Sequence, residues 1–263
     1  MKCEILLDSV NSAGVRLTTM VCTYPRFIHS EIMTHRMFSR NSASSRAIPT
    51  KAMIDAIRAD PIIPIEFGIN KPGMQASEIM EGPSLTRCVE AWKAASVSAT
   101  LHAENLYNMG VHKQVVNRLL EPFMPMTTII SATDWANFFA LRVHPDAQPE
   151  MQVIAKLMKQ AMDASKPTCR YNHRPFIQVE DEHGPLMDSF MASAARCARV
   201  SYTKHGQEKS FEEDVAFGRR LAISKHWSPF EHQAISTADN EYHGNFRGWM
   251  QFRKQFRYEY VRD

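Results

Sequence analysis

The chain has 263 residues, 44% of them hydrophobic and 22% charged, with a formal net charge of +3. This is an ordinary globular mixture, long enough for a substantial core in one large domain or two small ones. The charge is too small for wholesale nucleic-acid binding and suits a local site for a small anion. No apolar run reaches the length of a membrane span, and no signal-peptide apolar region follows Met1–Glu4, so a cytoplasmic protein without a membrane partner is expected.

The five cysteines, Cys3, Cys22, Cys88, Cys169 and Cys197, are odd in number and scattered, with no Cys-x-x-Cys pair. They read as reduced, packed thiols. Cys169, His173 and His183 are spaced too loosely for a zinc set, and no metal is expected.

In chain order, Ile5–Leu7 and Val15–Thr23 read as strands, the second β-branched with partial alternation. Pro25 ends it, and Arg26–Phe38 reads as a helix. Met53–Ile57 is a short helix, and Pro61–Pro83 is loop, with Ile62–Phe67 extended. Ser84–Met109 has the broad apolar face of a long helix, with Gly110 as its cap. His112–Leu120 is a shorter helix and Met126–Ala132 a strand. Asp134 caps a helix running to Leu141, and Pro149–Ala164 is an amphipathic helix. Lys166–Leu186, rich in Pro and Gly, reads as a connector. Helices follow at Leu186–Arg199 and Phe211–Lys225, then a turn at Trp227–Phe230 and a strand at Glu231–Thr237. Phe246–Tyr260 reads as a final helix rich in Arg and aromatics. The sum is an α+β chain with helices dominant. Val15–Arg36 and Glu231–Gln255 read as two copies of one strand–helix unit, in which Phe27 aligns with Phe246 and Thr34 with Arg253.

The densest chemistry lies in Thr34–Arg46, which holds three arginines, one histidine and four serines. Arg36, Arg40 and Arg46 can each make charge-assisted hydrogen bonds to phosphate oxygens, with the serines as neutral donors. The bland alternative is a solvated basic loop.

His35-Arg36-x-x-Ser39-x-Asn41-x-x-Ser44-x-Arg46 resembles the signature of the flavin-dependent thymidylate synthases. So do Ala198-Arg199-Val200-Ser201-Tyr202, Ser228-Pro229-Phe230-Glu231-His232, Val116–Pro122, Asp134–Arg142 and Ala147–Glu150. In that family the Ala-Arg-Val-Ser and Pro-Phe-Glu-His motifs precede the signature. Here they follow it, so the chain reads as a circular permutation of a single domain over 1–263. Residues 1–165 would carry the signature and helical part, 166–186 the connector, and 187–263 the family's N-terminal part. The signature departs from the family at Thr34, where an arginine is usual, and at Ser42, where an acid is usual; Glu31, three residues before the signature, stands where a glutamine is usual. Arg253 is a candidate replacement for the arginine missing at Thr34.

The resemblance implies an α+β fold whose central, mostly antiparallel sheet is flanked by helices. It also implies a cytoplasmic homotetramer with sites shared between subunits. The reaction it implies moves a one-carbon unit from methylenetetrahydrofolate to C5 of dUMP, with FAD as cofactor and NADPH as reductant. On that reading Ser44, Arg46 and Arg118 hold the nucleotide phosphate. Arg142 faces the pyrimidine and stabilises developing negative charge, with Glu31 beside the ring. His35, Arg36, Ser39, Asn137, Ser201, His232 and Arg253 contact FAD, and His35 also serves the folate. Arg142, Ser44 and His35 carry the chemistry, Ser44 as a phosphate donor rather than a nucleophile. The bland readings are a packed strand histidine for His232, a helix-end cation for Arg142, a core residue for Asn137 and an ion pair for Arg199. Glu31 keeps dCMP open as a substrate, and the altered signature keeps a hydroxymethyl product open. Two further readings are a flavin- or nucleotide-binding protein without catalysis, and a single-stranded nucleic-acid binder using the aromatic tail from Phe246.

Overall fold

The computed structural model describes residues 1–73, 75–177, 185–201, 209–237 and 239–259, the side chain of Ser201 excepted. Its centre is a five-stranded sheet in the order β3-β4-β2-β1-β5. The strands are β1 (Lys2–Val10), β2 (Arg16–Pro25), β3 (Ser39–Ser42), β4 (Pro125–Ala132) and β5 (Thr168–Cys169). All neighbours are antiparallel except β1 and β5. The expected α+β fold with a mostly antiparallel central sheet is therefore present.

Strand β2 sorts its side chains by the period of two. Met20, Cys22 and Tyr24 point into one cluster with residues of α5 (Ala136–Arg142) and α6 (Pro149–Ala164), including Phe138, Ile154 and Met158. Leu17 and Thr19 face the other way, toward a three-stranded antiparallel sheet. That sheet runs β6 (Asn172–His173), β7 (Ala234–Ser236), β8 (Trp249–Gln251). Leu17 meets Ala234 and Trp249 there. Beside this contact lies a buried polar seam: the ring nitrogens of His173 reach Ser9 Oγ at 2.8 Å and Thr19 Oγ1 at 2.7 Å, Thr19 reaches Ser131 at 2.6 Å, and Ser131 reaches His232 Nδ1 at 2.9 Å.

Two helical layers flank the sheets. Helices α2 (Thr50–Ala59) and α3 (Gly82–Asn108) enclose a second core with Val116, Leu120 and Phe123. Helices α7 (Leu186–Ala198) and α8 (Phe211–Ile223) enclose a third with Phe230 and Phe252. Helix α8 begins with a full capping box between Ser210 and Glu213.

Several expectations are corrected. The helix expected over Arg26–Phe38 is a 3-10 turn at Arg26–Ile28 followed by α1 (His29–Met33). Thr34 ends it by donating its hydroxyl to the Glu31 carbonyl at 2.6 Å, and Arg40 Nη1 donates to the carbonyls of Ile32, Met33 and His35. The second helix of the long pair is only α4 (Lys113–Val116), continued by a 3-10 turn at Asn117–Leu119. Asp134 does not cap α5, because its carboxylate accepts from Thr133 Oγ1 instead. The connector contains β5 and β6, and its residues 178–184 lie outside the described residues. The final helix is not formed. Phe246–Gln255 instead holds β8 and a 3-10 turn, Phe252–Gln255. Gly248 forces this, with φ at +67° and a Cβ position that Asn11 and Val15 already crowd to 3.1 Å. The expected internal repeat falls with that helix, since its second copy is a short hairpin edge.

Candidate functional site

Turn residues after α1, the last residue of α5 and the edge strand β3 meet above the sheet. Arg142 Nε donates to His35 Nε2 at 2.9 Å, and its Nη2 donates to Thr34 Oγ1 at 3.2 Å. Glu31 Oε2 lies 3.8 Å from Arg142 Nη1, outside hydrogen-bond reach. A guanidinium only donates, so His35 Nε2 must be unprotonated and its proton sits on Nδ1. Burial, reinforced by Arg142 and Arg40, lowers the His35 pKa to about 4, so the ring is neutral at pH 7. Its edge packs on the Phe138 ring at 4.8 Å between centroids. Burial raises the Glu31 carboxyl above its ordinary value, against the pull of Arg142. Glu31, His35 and Arg142, expected as site residues, thus form one cluster. Arg142 is also the helix-end cation of the bland reading.

A second cluster lies at the loop after β3. Ser44 is half-buried and starts the 3-10 turn Ser45–Ala47, and Arg46 is exposed on it. Ser45 is buried and donates its hydroxyl to Glu121 Oε1 at 2.6 Å. The same oxygen accepts from Arg118 Nη1 at 2.8 Å and lies 3.0 Å from Arg26 Nη2. Asn117 holds the loop from beneath, donating to the carbonyls of Ser45 and Ile48. Ser45, between Ser44 and Arg46, is thus tied to Arg118 through Glu121.

Between β3 and the 3-10 turn Ser228–Glu231 lies a cavity of about 350 Å³, lined by His29, Met33, Phe38, Arg40, Asn41, Ser42, Ser228, Glu231 and Asn245. Of the candidate anion-binding arginines only Arg40 lines it, and none of the residues expected on the flavin or the pyrimidine nucleotide does. Asn41 ties its two walls together, donating to the Cys197 carbonyl at 2.7 Å and accepting from Ser228 Oγ at 3.2 Å. His29, on another wall, contacts the Tyr24 hydroxyl at 2.9 Å, and a chain through Thr128 leads to Ser42.

The remaining expected residues are placed apart. Arg36 and Asn137 are exposed, Asn137 on α5 rather than in the core. Ser39 is fully buried and accepts from Gln251 Nε2 at 2.7 Å, which seals its hydroxyl inside the protein. Only the backbone of Ser201 is described, closing the 3-10 turn Arg199–Ser201. Arg199 pairs with Asp214 and stacks on Phe217. His232 is fully buried on Ser131, packed as in its bland reading but at the end of the 3-10 turn before β7 rather than in a strand, and its Nε2 has no hydrogen-bond partner among the described residues. Burial lowers the pKa values of His232 and His173 to about 3. Arg253 is bound to Glu231 and Glu259, and the cation actually beside Thr34 is Arg142. Burial pushes the thiols of Cys22 and Cys197 up, which makes both poor nucleophiles.

Cys169 is exposed, whereas His173 has both ring nitrogens on hydroxyls, and His183 lies outside the described residues. Among the described residues no group of three His, Cys, Asp or Glu is placed to hold a metal, and no helix is long and apolar enough to cross a membrane. The tail expected to offer aromatics to single-stranded nucleic acid buries Phe246, Trp249 and Phe252 in the core.

The family model described as thymidylate synthase complementing protein, Thy1, matches residues 14–168. No curated protein matches the chain. A UMP/dUMP methylase PolB from Streptomyces cacaoi bound with 5-Br dUMP is similar at 18% identity over 56% of this chain and 66% of that chain, just under two thirds of its length, with a TM-score of 0.46. The same methylase bound with 5-Br UMP is similar at 17% identity over 61% of this chain and 87% of that chain, with a TM-score of 0.49. The flavin dependent thymidylate synthase ThyX from Helicobacter pylori, complexed with FAD and dUMP, is similar at 16% identity over 57% of this chain and 70% of that chain, with a TM-score of 0.41.

Proposed function

The chain belongs to the thymidylate synthase complementing protein family, and on that premise we propose that it is a flavin-dependent enzyme that methylates C5 of dUMP. Methylenetetrahydrofolate donates the one-carbon unit, NADPH supplies the reducing equivalents, and the working form is a homotetramer. The observation that carries this reading is the Arg142–His35–Thr34 cluster, a cation held by two neutral acceptors beside a half-exposed surface.

Two features fit the flavin. His232 Nε2 is a buried polar atom without a partner among the described residues, which calls for a ligand atom or water. The cavity between β3 and the 3-10 turn Ser228–Glu231, which none of the residues expected on the flavin lines, has room for part of a dinucleotide and mixes the apolar Phe38 and Met33 with polar walls. When bound, FAD would supply the redox chemistry of the transfer, and no nucleophilic cysteine of this chain is called on. His35, Arg36, Asn137, Ser201 and His232 would hold it. Arg253 would act through Glu231, which it already binds.

This chain's residues do the rest. Ser44, Arg46 and Arg118 bind the phosphate. Arg142 orients the pyrimidine and stabilises negative charge developing on it. His35 keeps Arg142 in register as a neutral acceptor.

We also propose that the chain works as one permuted domain. The motifs after residue 168 lie outside the family match. Supporting the proposal, Cys197 and Ser228 bond to Asn41 of the signature, and His232 bonds to Ser131 on β4.

A spectral titration tests the site. Protein loaded with FAD should show the absorbance of a bound flavin, and dUMP should perturb it at micromolar concentration. A protein that binds no FAD overturns the reading. A response to dCMP but not dUMP would assign the amino-pyrimidine, which the Glu31 carboxylate beside Arg142 favours.

A further inference from the structure

We propose that Glu121 is a positioning residue for the nucleotide phosphate: its carboxylate holds Arg118 and Ser45 where Ser44, Arg46 and Arg118 meet that phosphate. The proposal rests on the nucleotide reading above and assigns a role to Glu121, which lies in the family-like stretch Val116–Pro122 but to which the resemblance gives no function. Three donors from distant parts of the chain converge on the single oxygen Oε1, namely Ser45 Oγ at 2.6 Å, Arg118 Nη1 at 2.8 Å and Arg26 Nη2 at 3.0 Å.

Glu121 itself is firmly mounted. It opens the 3-10 turn Glu121–Phe123, whose backbone Pro122 restricts and whose Phe123 is buried in the second core. Arg26 backs it from the sheet side. That guanidinium is only 17% exposed, donates to the Ala43 carbonyl and follows directly on β2, with its N–H on the Met124 carbonyl. Arg118, by contrast, is 55% exposed on a long side chain with many rotamers. Without Glu121, no described hydrogen bond would fix its direction. The same carboxylate fixes Ser45, which lies between the two loop residues expected on the phosphate.

Two effects of removing the carboxylate oppose one another. Losing a negative charge would by itself attract a phosphate dianion more strongly. That term is weak, because Arg26 and Arg118 already offset the carboxylate charge. Two guanidiniums facing one carboxylate leave the cluster net positive with Glu121 in place. Losing the order of Arg118 and of the loop therefore dominates, and binding should weaken.

Calorimetric binding of dUMP and of deoxyuridine, which lacks the phosphate, tests this on the FAD-loaded protein. Glu121→Ala should weaken dUMP about tenfold and deoxyuridine less than about twofold, as expected for loss of one charge-assisted contact. Glu121→Gln, whose amide oxygen still accepts from Ser45 and Arg118, should recover dUMP binding to within about threefold of the unaltered protein. In an Arg118→Ala background, Glu121→Ala should add no more than about two- to threefold, the part that runs through Ser45, because the rest of its effect runs through Arg118. Full additivity of the two substitutions overturns the proposal. So does unchanged or tighter dUMP binding by Glu121→Ala, or an equal loss for deoxyuridine, which would mark general damage. Unaltered protein that binds flavin but no pyrimidine monophosphate would overturn the nucleotide reading itself, and this assignment with it.

Discussion

Arg142 donates its Nε to a neutral ring nitrogen and its Nη2 to a hydroxyl, whereas Arg118 donates Nη1 to a carboxylate oxygen at 2.8 Å. The nearest carboxylate to Arg142, that of Glu31, stays at 3.8 Å. A cation held by neutral acceptors keeps its field for a ligand, and that field acts where charge develops. A cation held by a carboxylate has part of its field cancelled and is chiefly placed in space. The two guanidiniums should therefore fail in different ways when removed. Arg142 should act on the rate, and Arg118 on the binding of the phosphate.

Arg142→Ala should produce the largest effect, lowering kcat by roughly 10²–10³-fold while dUMP affinity changes by less than about fivefold. A loss confined to KM would erase the distinction between the two arginines.

The pH profile of turnover should show the next largest effect. His35 accepts from Arg142 only while neutral. Its pKa in the folded protein, about 4, lies below the ordinary 6.5. A lowered histidine pKa means that the contact is intact above 6.5 and is lost as pH falls through about 4. The contribution of His35 to kcat should thus be flat from neutral pH to about 5 and then fall about tenfold per unit below 4. A loss centred near 6.5 would place the ring in water instead.

Glu31→Gln should be milder. A half-exposed pair without a hydrogen bond contributes little, so kcat on dUMP should move by less than about fivefold. The informative readout is the ratio of dUMP to dCMP turnover, which should shift toward dUMP when the carboxylate is removed. An unchanged ratio would take Glu31 away from the base.

Ser45→Ala should be the smallest, raising the dUMP Kd by about two- to threefold, since Asn117 still grips the loop through two carbonyls. A tenfold effect would transfer the positioning role from Glu121 to Ser45.

Local pattern made part of this legible in the sequence. Strands β2 and β4 announce themselves through β-branched residues, and α6 through its apolar stripe, because one face of each is buried against the other. His35 of the signature, Glu31 just before it and the distant Arg142 stand out in the sequence, and their side chains lie together. The tail misled because Phe246, Trp249, Phe252 and Phe256 satisfy a helical period equally well. Only the tight approach of Gly248 to Asn11 and Val15 decides for a strand. Ser39 looked like a ligand residue because its neighbours do, yet its hydroxyl is closed off by Gln251, more than two hundred positions away. Glu121 lies in the family-like stretch Val116–Pro122, but its role is not legible there, since two of its three donors come from positions 26 and 45. The buried seam of His173 and His232 likewise exists only once the two sheets stack.

The most direct test follows the carbon itself. FAD-loaded protein is given NADPH, dUMP and methylenetetrahydrofolate labelled in its methylene carbon, and the nucleotide products are identified by mass. The account predicts 5-methyl-dUMP carrying the label, and its disappearance with Arg142→Ala. Unaltered dUMP after incubation with protein that demonstrably binds flavin and nucleotide would contradict it.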